Sequence, residues 1–212
     1  MITSGPTRQF LDPVRYLTNA SSGRMGAALA KACIDRGHEV VIVSGPVAIA
    51  YPEQAKVIQV VTTDEMLRAA VDQFSTCDGA IGAAAPCDYQ PQQVASQKIA
   101  KTGQPLTIEL VETQDVVATL GQSKRNRQWV VGFALETDDR RFRAIVKLEK
   151  KHCDLMVSNG PEAIDSFENR VELLATDGTL VDTIEGSKEQ VAGGIIDQIE
   201  RRLITNSADS TP

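Results

Sequence analysis

The chain has 212 residues, 42% of them hydrophobic, and a formal net charge of −6. That length suits one domain with a sizeable core, and the composition argues against disorder. The acidic balance excludes a general nucleic-acid-binding role, which needs a basic face, and no stretch approaches the roughly 20 apolar residues of a membrane span. The opening "MITSGPTRQF" lacks the basic and apolar regions of a signal peptide, so a cytoplasmic location is expected.

In chain order the signals are those of an α/β protein. Met1 to Thr3 leaves room only for a short first strand. Ser21 or Ser22 is expected to cap a helix whose apolar Met25, Leu29, Cys33 and Ile34 share one face, with Gly37 ending it. "EVVIV" (Glu39 to Val43) is a β-branched run suited to a strand buried on both faces, and "VIQVV" follows. Thr62 with Glu65 forms a capping-box signal for a helix through Phe74. "GAIGAAA" (Gly79 to Ala85) reads as a core strand whose small residues admit a close neighbour.

"TIELVE" and "WVVGFA" read as further strands, with a short helix from Asp115 to Gly121 between them. Arg140 to His152 reads as an amphipathic helix leading into the strand "DLMVS". "VELLATDGTLVDT" alternates around Asp177-Gly178, a strong hairpin signal. A last helix spans Lys188 to Leu203, and "NSADSTP" reads as a disordered tail. With no internal repeat and no long linker, residues 1–204 are expected to form one domain, with 205–212 outside it.

The chemistry concentrates in three clusters. In a parallel sheet, ligands bind beyond the carboxyl ends of the strands, where helix N-termini point. Ser21, Ser22, Gly23 and Gly26 open a helix with small residues, so that exposed N–H groups and the helix dipole can meet an anion. The plain alternative is a well-capped helix, but the preceding "DPVRYLTN" holds an Arg, a Tyr and an Asn that a surface turn does not need. A dinucleotide-binding fingerprint would put its glycines directly after the strand and an acid at the end of the second strand. Here a long insert separates Gly5 from Gly23, and the second strand runs into "SGP".

The second cluster is "GAAAPCDYQP" followed by "QKIAK". Asp88 just past a strand end suits Mg²⁺ or a sugar hydroxyl, or merely an Asx-turn. Lys98 and Lys101 sit on an extended arm, where a Lys pair is commonly just solvated charge. The third cluster is Phe133 with Lys147 and Lys151, the two lysines one helical turn apart on a face that is otherwise an ordinary polar one. The four cysteines (Cys33, Cys77, Cys87, Cys153) show no C-x-x-C spacing and read as buried thiols. With only His38 and His152, a His-rich zinc site is excluded.

Taken together, "TSGPTR", "DPVRYLTNASSGRMG", "AAPCDYQP", "QKIAK", "VVGFALET" and "KLEKKHCDLMVSN" resemble, in order, the phosphopantothenoylcysteine synthetase half of the bacterial coenzyme A bifunctional proteins. The resemblance runs from about Thr3 to Asn159 and more weakly beyond. It implies a Rossmann-like three-layer fold with a mostly parallel central sheet, plus a C-terminal β-hairpin and helix. It also implies a ligase joining 4′-phosphopantothenate to L-cysteine through an acyl-cytidylate, with CTP as co-substrate, Mg²⁺ and no flavin.

By the same resemblance Asn19 and Lys98 are the catalytic residues. Ser21, Ser22, Gly23, Gly82, Ala83, Ala84, Asp88, Gln114, Asp115, Val116, Val117, Phe133, Lys147 and Lys151 surround the nucleotide, with Asp88 near the metal. A homodimer is implied, with the Asp177-Gly178 hairpin as an interface element, and a separate phosphopantothenoylcysteine decarboxylase in place of the missing flavin half. The chain departs from the family at Ala100, which interrupts the arm's K-x-K-K pattern, and at Gln114, where Pro is usual. The rival readings are an NAD(P)-binding oxidoreductase and a non-catalytic nucleotide-binding paralogue.

Overall fold

The computed structural model describes residues 1–135, 139–159 and 168–205. In chain order its first elements are β1 (Ile2–Ser4), β2 (Arg8–Phe10), β3 (Tyr16–Thr18), α1 (Arg24–Asp35), β4 (Val41–Ser44), β5 (Lys56–Gln59), α2 (Thr63–Phe74) and β6 (Gly79–Gly82). Then come β7 (Tyr89–Pro91), β8 (Leu110–Glu112), α3 (Val116–Gln122), β9 (Trp129–Leu135), α4 (Arg140–Lys150), β10 (Leu155–Asn159), β11 (Glu168–Ala175), β12 (Leu180–Ser187) and α5 (Lys188–Ile199). A π-helical turn, Glu200–Ile204, continues α5.

The main sheet has eight strands in the order β12-β11-β10-β9-β6-β1-β4-β5. From β10 to β5 all neighbours are parallel, and β11 and β12 extend the β10 side antiparallel. The chain moves outward from β1 to β4 and β5, then crosses back through α2 to β6 on the other flank of β1. Strand order therefore reverses between β1 and β6, and a crevice opens at their carboxyl ends.

Alternation along each strand divides the core. Ile42, Ile81, Val131, Leu155 and Val157 face α1 and α5, whereas Val43, Ala80, Val130 and Met156 face α2, α3 and α4. The result is the expected three-layer α/β architecture. At the amino ends of the strands, the Met1 ammonium donates to Gly79 O at 2.7 Å. Trp129 lies over bare Gly79, where a Cβ would come within 2.1 Å of the ring.

Several expectations change. The Thr62/Glu65 capping box is present as read, but neither Ser21 nor Ser22 caps α1. Its N-cap is Gly23, at φ 76° and with no side-chain cap, so the two serines lie upstream of the helix. "TIELVE" forms a strand only at its end and outside the main sheet. Its Leu110–Glu112 instead pairs with β7 as a two-stranded ribbon whose β8 side chains are all exposed. A second ribbon, β2 with β3, stands where a polar loop was expected. The 177–178 turn does join a hairpin, but not a lone one: β11 is paired on both sides, and Gly178 sits against Ile145 of α4. The assigned tail lies outside the described residues after Thr205.

Candidate active site

Two segments meet at the switch between β1 and β6. Gly26 lies so close to the end of β1 that a Cβ there would come within 2.1 Å of Ser4 Oγ. The Ser4 hydroxyl donates to Gly23 O at 3.3 Å and accepts from the Tyr51 hydroxyl at 2.9 Å. The left-handed turn at Gly23 then releases the chain into α1. On the other side, residues 83 to 85 run beside β1's exit, with Ala83 N donating to Thr3 O at 3.1 Å and Ala85 N to Gly5 O at 2.9 Å. Asn19 joins the two walls, its side-chain amide donating to Pro86 O at 2.9 Å and Ala85 O at 3.3 Å.

Between these walls lies a cleft of about 490 Å³. Of the residues expected in a site, Asn19, Ser21, Ser22, Gly23, Ala83, Ala84, Asp88, Phe133 and Lys147 line it. The others stand back. Gly82 underlies the wall, where its missing side chain leaves room for Val117. Val116 is core, and Asp115 caps α3 through Ala118 N at 3.0 Å. Lys151 turns from Lys147 to an ion pair with Asp115 at 3.1 Å. Gln114 and Lys98 are exposed and outside the cleft lining.

Four polar residues in the cleft were missed: Arg24, Asn159, Asn169 and Lys188. Lys188 Nζ donates to the nearly buried Asn169 at 3.4 Å. Asn159 ends β10 and lines the cleft, and its buried Oδ1 has no hydrogen-bond partner among the described residues. The Ser187/Gln190 capping box that opens α5 at Lys188 was the one sequence signal for this wall. Arg24, Lys147 and Lys188 give the cleft a cationic lining in a chain of net charge −6.

The thiols stay apart from this chemistry. Burial pushes Cys33 up to about 11 and Cys153 up to about 12, and raises Cys87 as well. Among the described residues no group of three or more His, Cys, Asp or Glu side chains could hold a metal ion. The same residues include no helix long and apolar enough to cross a membrane.

A family model, the DNA/pantothenate metabolism flavoprotein C-terminal domain, matches residues 1–203. The chain belongs to that family. One relative is the coenzyme A biosynthesis bifunctional protein CoaBC of Haemophilus influenzae, 36% identical over 204 residues. The match takes in 95% of this chain and 51% of that protein, so the chain spans about half the length of such relatives. The crystal structure of the C-terminal domain of a CoaBC protein superposes with a TM-score of 0.79 at 36% identity, covering 95% of this chain and 93% of that one. A Cab2 mutant in complex with phosphopantothenate-cysteine gives a TM-score of 0.83 over 99% of this chain and 87% of its own. At 16% identity that likeness is one of fold.

Proposed function

We propose that the protein is the CTP-dependent ligase that joins 4′-phosphopantothenate to L-cysteine, with residues 1–204 as one catalytic domain. The observation that carries this reading is the convergence of Asn19, Ser21–Gly23, Ala83–Ala84, Asp88, Phe133 and Lys147 on one cleft at the β1/β6 switch. The reading also draws on the family and on the 36% identical relatives.

In the first step a substrate carboxylate oxygen attacks the α-phosphorus of CTP, and the bond to the β-phosphate breaks to release pyrophosphate. In the second the cysteine amine attacks the acyl carbon of the cytidylate, CMP leaves with the bonding pair, and the amine loses a proton. Charge builds on phosphate oxygens in both, so fixed donors and cations supply the stabilisation. The α1 N-terminus after Gly23, with Ser21 and Ser22, takes the triphosphate oxygens. The backbone at Gly82, Ala83 and Ala84, with Phe133, walls the nucleoside. Gln114 to Val117 back that wall, and Lys147 supplies charge while Lys151 holds the wall through Asp115. Asn19 holds the two walls in register around the reacting carbonyl, and Lys98 closes from its arm.

Among the described residues Asp88 is the one carboxylate lining the cleft, which suits an ion held mostly by its substrate. Asp88 and the triphosphate oxygens would hold Mg²⁺ together, and the ion would supply charge neutralisation on the phosphates. The reaction contains no redox step and calls for no flavin; a decarboxylase would consume the product. The family resemblance further supports a homodimer, and the composition of the first residues a cytoplasmic place of work.

The test is a turnover assay with CTP, ATP and UTP in parallel. Pyrophosphate release that requires phosphopantothenate, followed by CMP release that requires cysteine, is the expected result. Tight NAD(P) binding without turnover would favour the oxidoreductase reading, and nucleotide binding with no pyrophosphate would favour a non-catalytic paralogue.

A further inference from the structure

The segment between β2 and β3 contains a carboxylate whose environment exceeds what its turn requires. Asp12 is completely buried. Its Oδ1 accepts from Val14 N at 2.8 Å and Arg15 N at 2.9 Å, which is an ordinary Asx-type turn. Its Oδ2 accepts from Arg15 Nε at 2.9 Å and, from a remote part of the chain, from Ile99 N at 3.1 Å. Arg15 Nη2 bonds the same oxygen and also donates to Ile99 O at 2.6 Å. Both polar ends of residue 99 are thus gripped by side chains of one turn, and Ala95 N adds a bond to Leu11 O at 3.0 Å.

Lys98 precedes this gripped residue, and β3 leads from the same turn directly to Asn19. Burying a carboxylate is costly unless charged and hydrogen-bonded partners compensate. Burial pushes Asp12 up, but Arg15 and the backbone N–H groups of Val14, Ile99 and Arg15 outweigh it and hold the group well below the usual carboxylate range. The carboxylate is therefore charged at any working pH.

We infer that Asp12 is a positioning residue that fixes the Lys98 arm against the Asn19 loop through its clamp on Arg15 and Ile99. This rests on the proposed catalytic role of Lys98. A structural Asp would stabilise the turn and leave the arm indifferent, whereas a clamp acts through Lys98 and holds the arm in one place at residue 99.

The test is a kinetic cycle on the full chain with Asp12→Asn, Lys98→Gln and the pair, reading CTP-dependent pyrophosphate release. Trypsin sensitivity at Lys98-Ile99 and Lys101-Thr102 is followed by mass spectrometry. Asp12→Asn is expected to lower kcat at least about tenfold with little change in the KM for CTP, yet less than about twofold when Lys98 is already Gln. Cutting at Lys101-Thr102 should speed up at least about tenfold, since local order limits proteolysis. Additive losses, or an unchanged cutting rate, would overturn the inference while leaving Lys98 catalytic. Full activity of Lys98→Gln would instead remove Lys98 from the reaction, and this inference with it. If Asp12→Asn does not fold, Ile99→Pro removes the remote donor and leaves the turn intact; the same cycle and the same cut apply.

Discussion

Asn19 sits on the surface with both amide hydrogens directed at backbone carbonyls of Ala85 and Pro86. Asn19→Asp replaces those donors with a carboxylate that faces two carbonyl oxygens and an anionic substrate. Turnover is expected to fall about a hundredfold or more, because a fixed negative charge then stands where the site should stabilise charge building on the phosphates, while the melting temperature moves little because the residue is exposed. Near-normal turnover would take Asn19 out of the site. The thiols give a pH signature of the opposite kind. Cys153, buried beside Gly132 and Met156, goes from an ordinary 9.0 to about 12. Its contribution to stability is whole below pH 9 and is lost as pH rises toward the folded value, because the unfolded thiol ionises first. Denaturant midpoints should decline from about pH 9 upward, and Cys153→Ala should flatten that decline; an unchanged slope would contradict it. Asn19, the serines and Asp88 were legible in the sequence because each lies in a local run of polar and small residues. Asn159, Asn169 and Lys188 were not, because strand order rather than sequence proximity brings them to the cleft, and Arg24, although next to Gly23, reads from the sequence as an ordinary polar helix position.

Among the elements, α1 packs closely on the end of β1. Gly26→Ala would drive its Cβ into Ser4 Oγ and Cβ. Since neither β1 nor the helix start can give way freely, a loss of about 1–3 kcal/mol is expected, together with weaker CTP binding as the helix end tilts out of the cleft. Ser4→Gly in the same chain should recover part of both, and failure to recover would mean that the clash lies elsewhere. The helices with strong local signals were readable in advance. α2 carries its own capping box at Thr62 and Glu65, and α5 a second at Ser187 and Gln190. The ribbons were not readable. β2, β3, β7 and β8 are three residues each, one of them ending in Pro91, so none is long enough to show an alternation. The stretch around Leu110–Glu112 did read as a strand, but its place in a surface ribbon rather than the main sheet was not legible.

At the scale of the molecule, those ribbons leave Tyr16, Tyr89, Leu110 and Val111 exposed, whereas the 177–178 turn packs against its own α4. Sedimentation at micromolar concentration is expected to give a dimer, and Val111→Glu to shift it toward monomer; a monomeric parent protein would count against the assembly. The layered α/β plan was legible from the order of elements. The placing of β6 beside β1 was not, because nothing in residues 79–82 says which neighbour they choose. That topology also separates the two ends of the sheet by function. Met1 is anchored to Gly79 at the amino ends of the strands, a strand's length from the cleft beyond their carboxyl ends. A bulky fluorophore placed at that end of the sheet would therefore report binding without standing in the ligand's way.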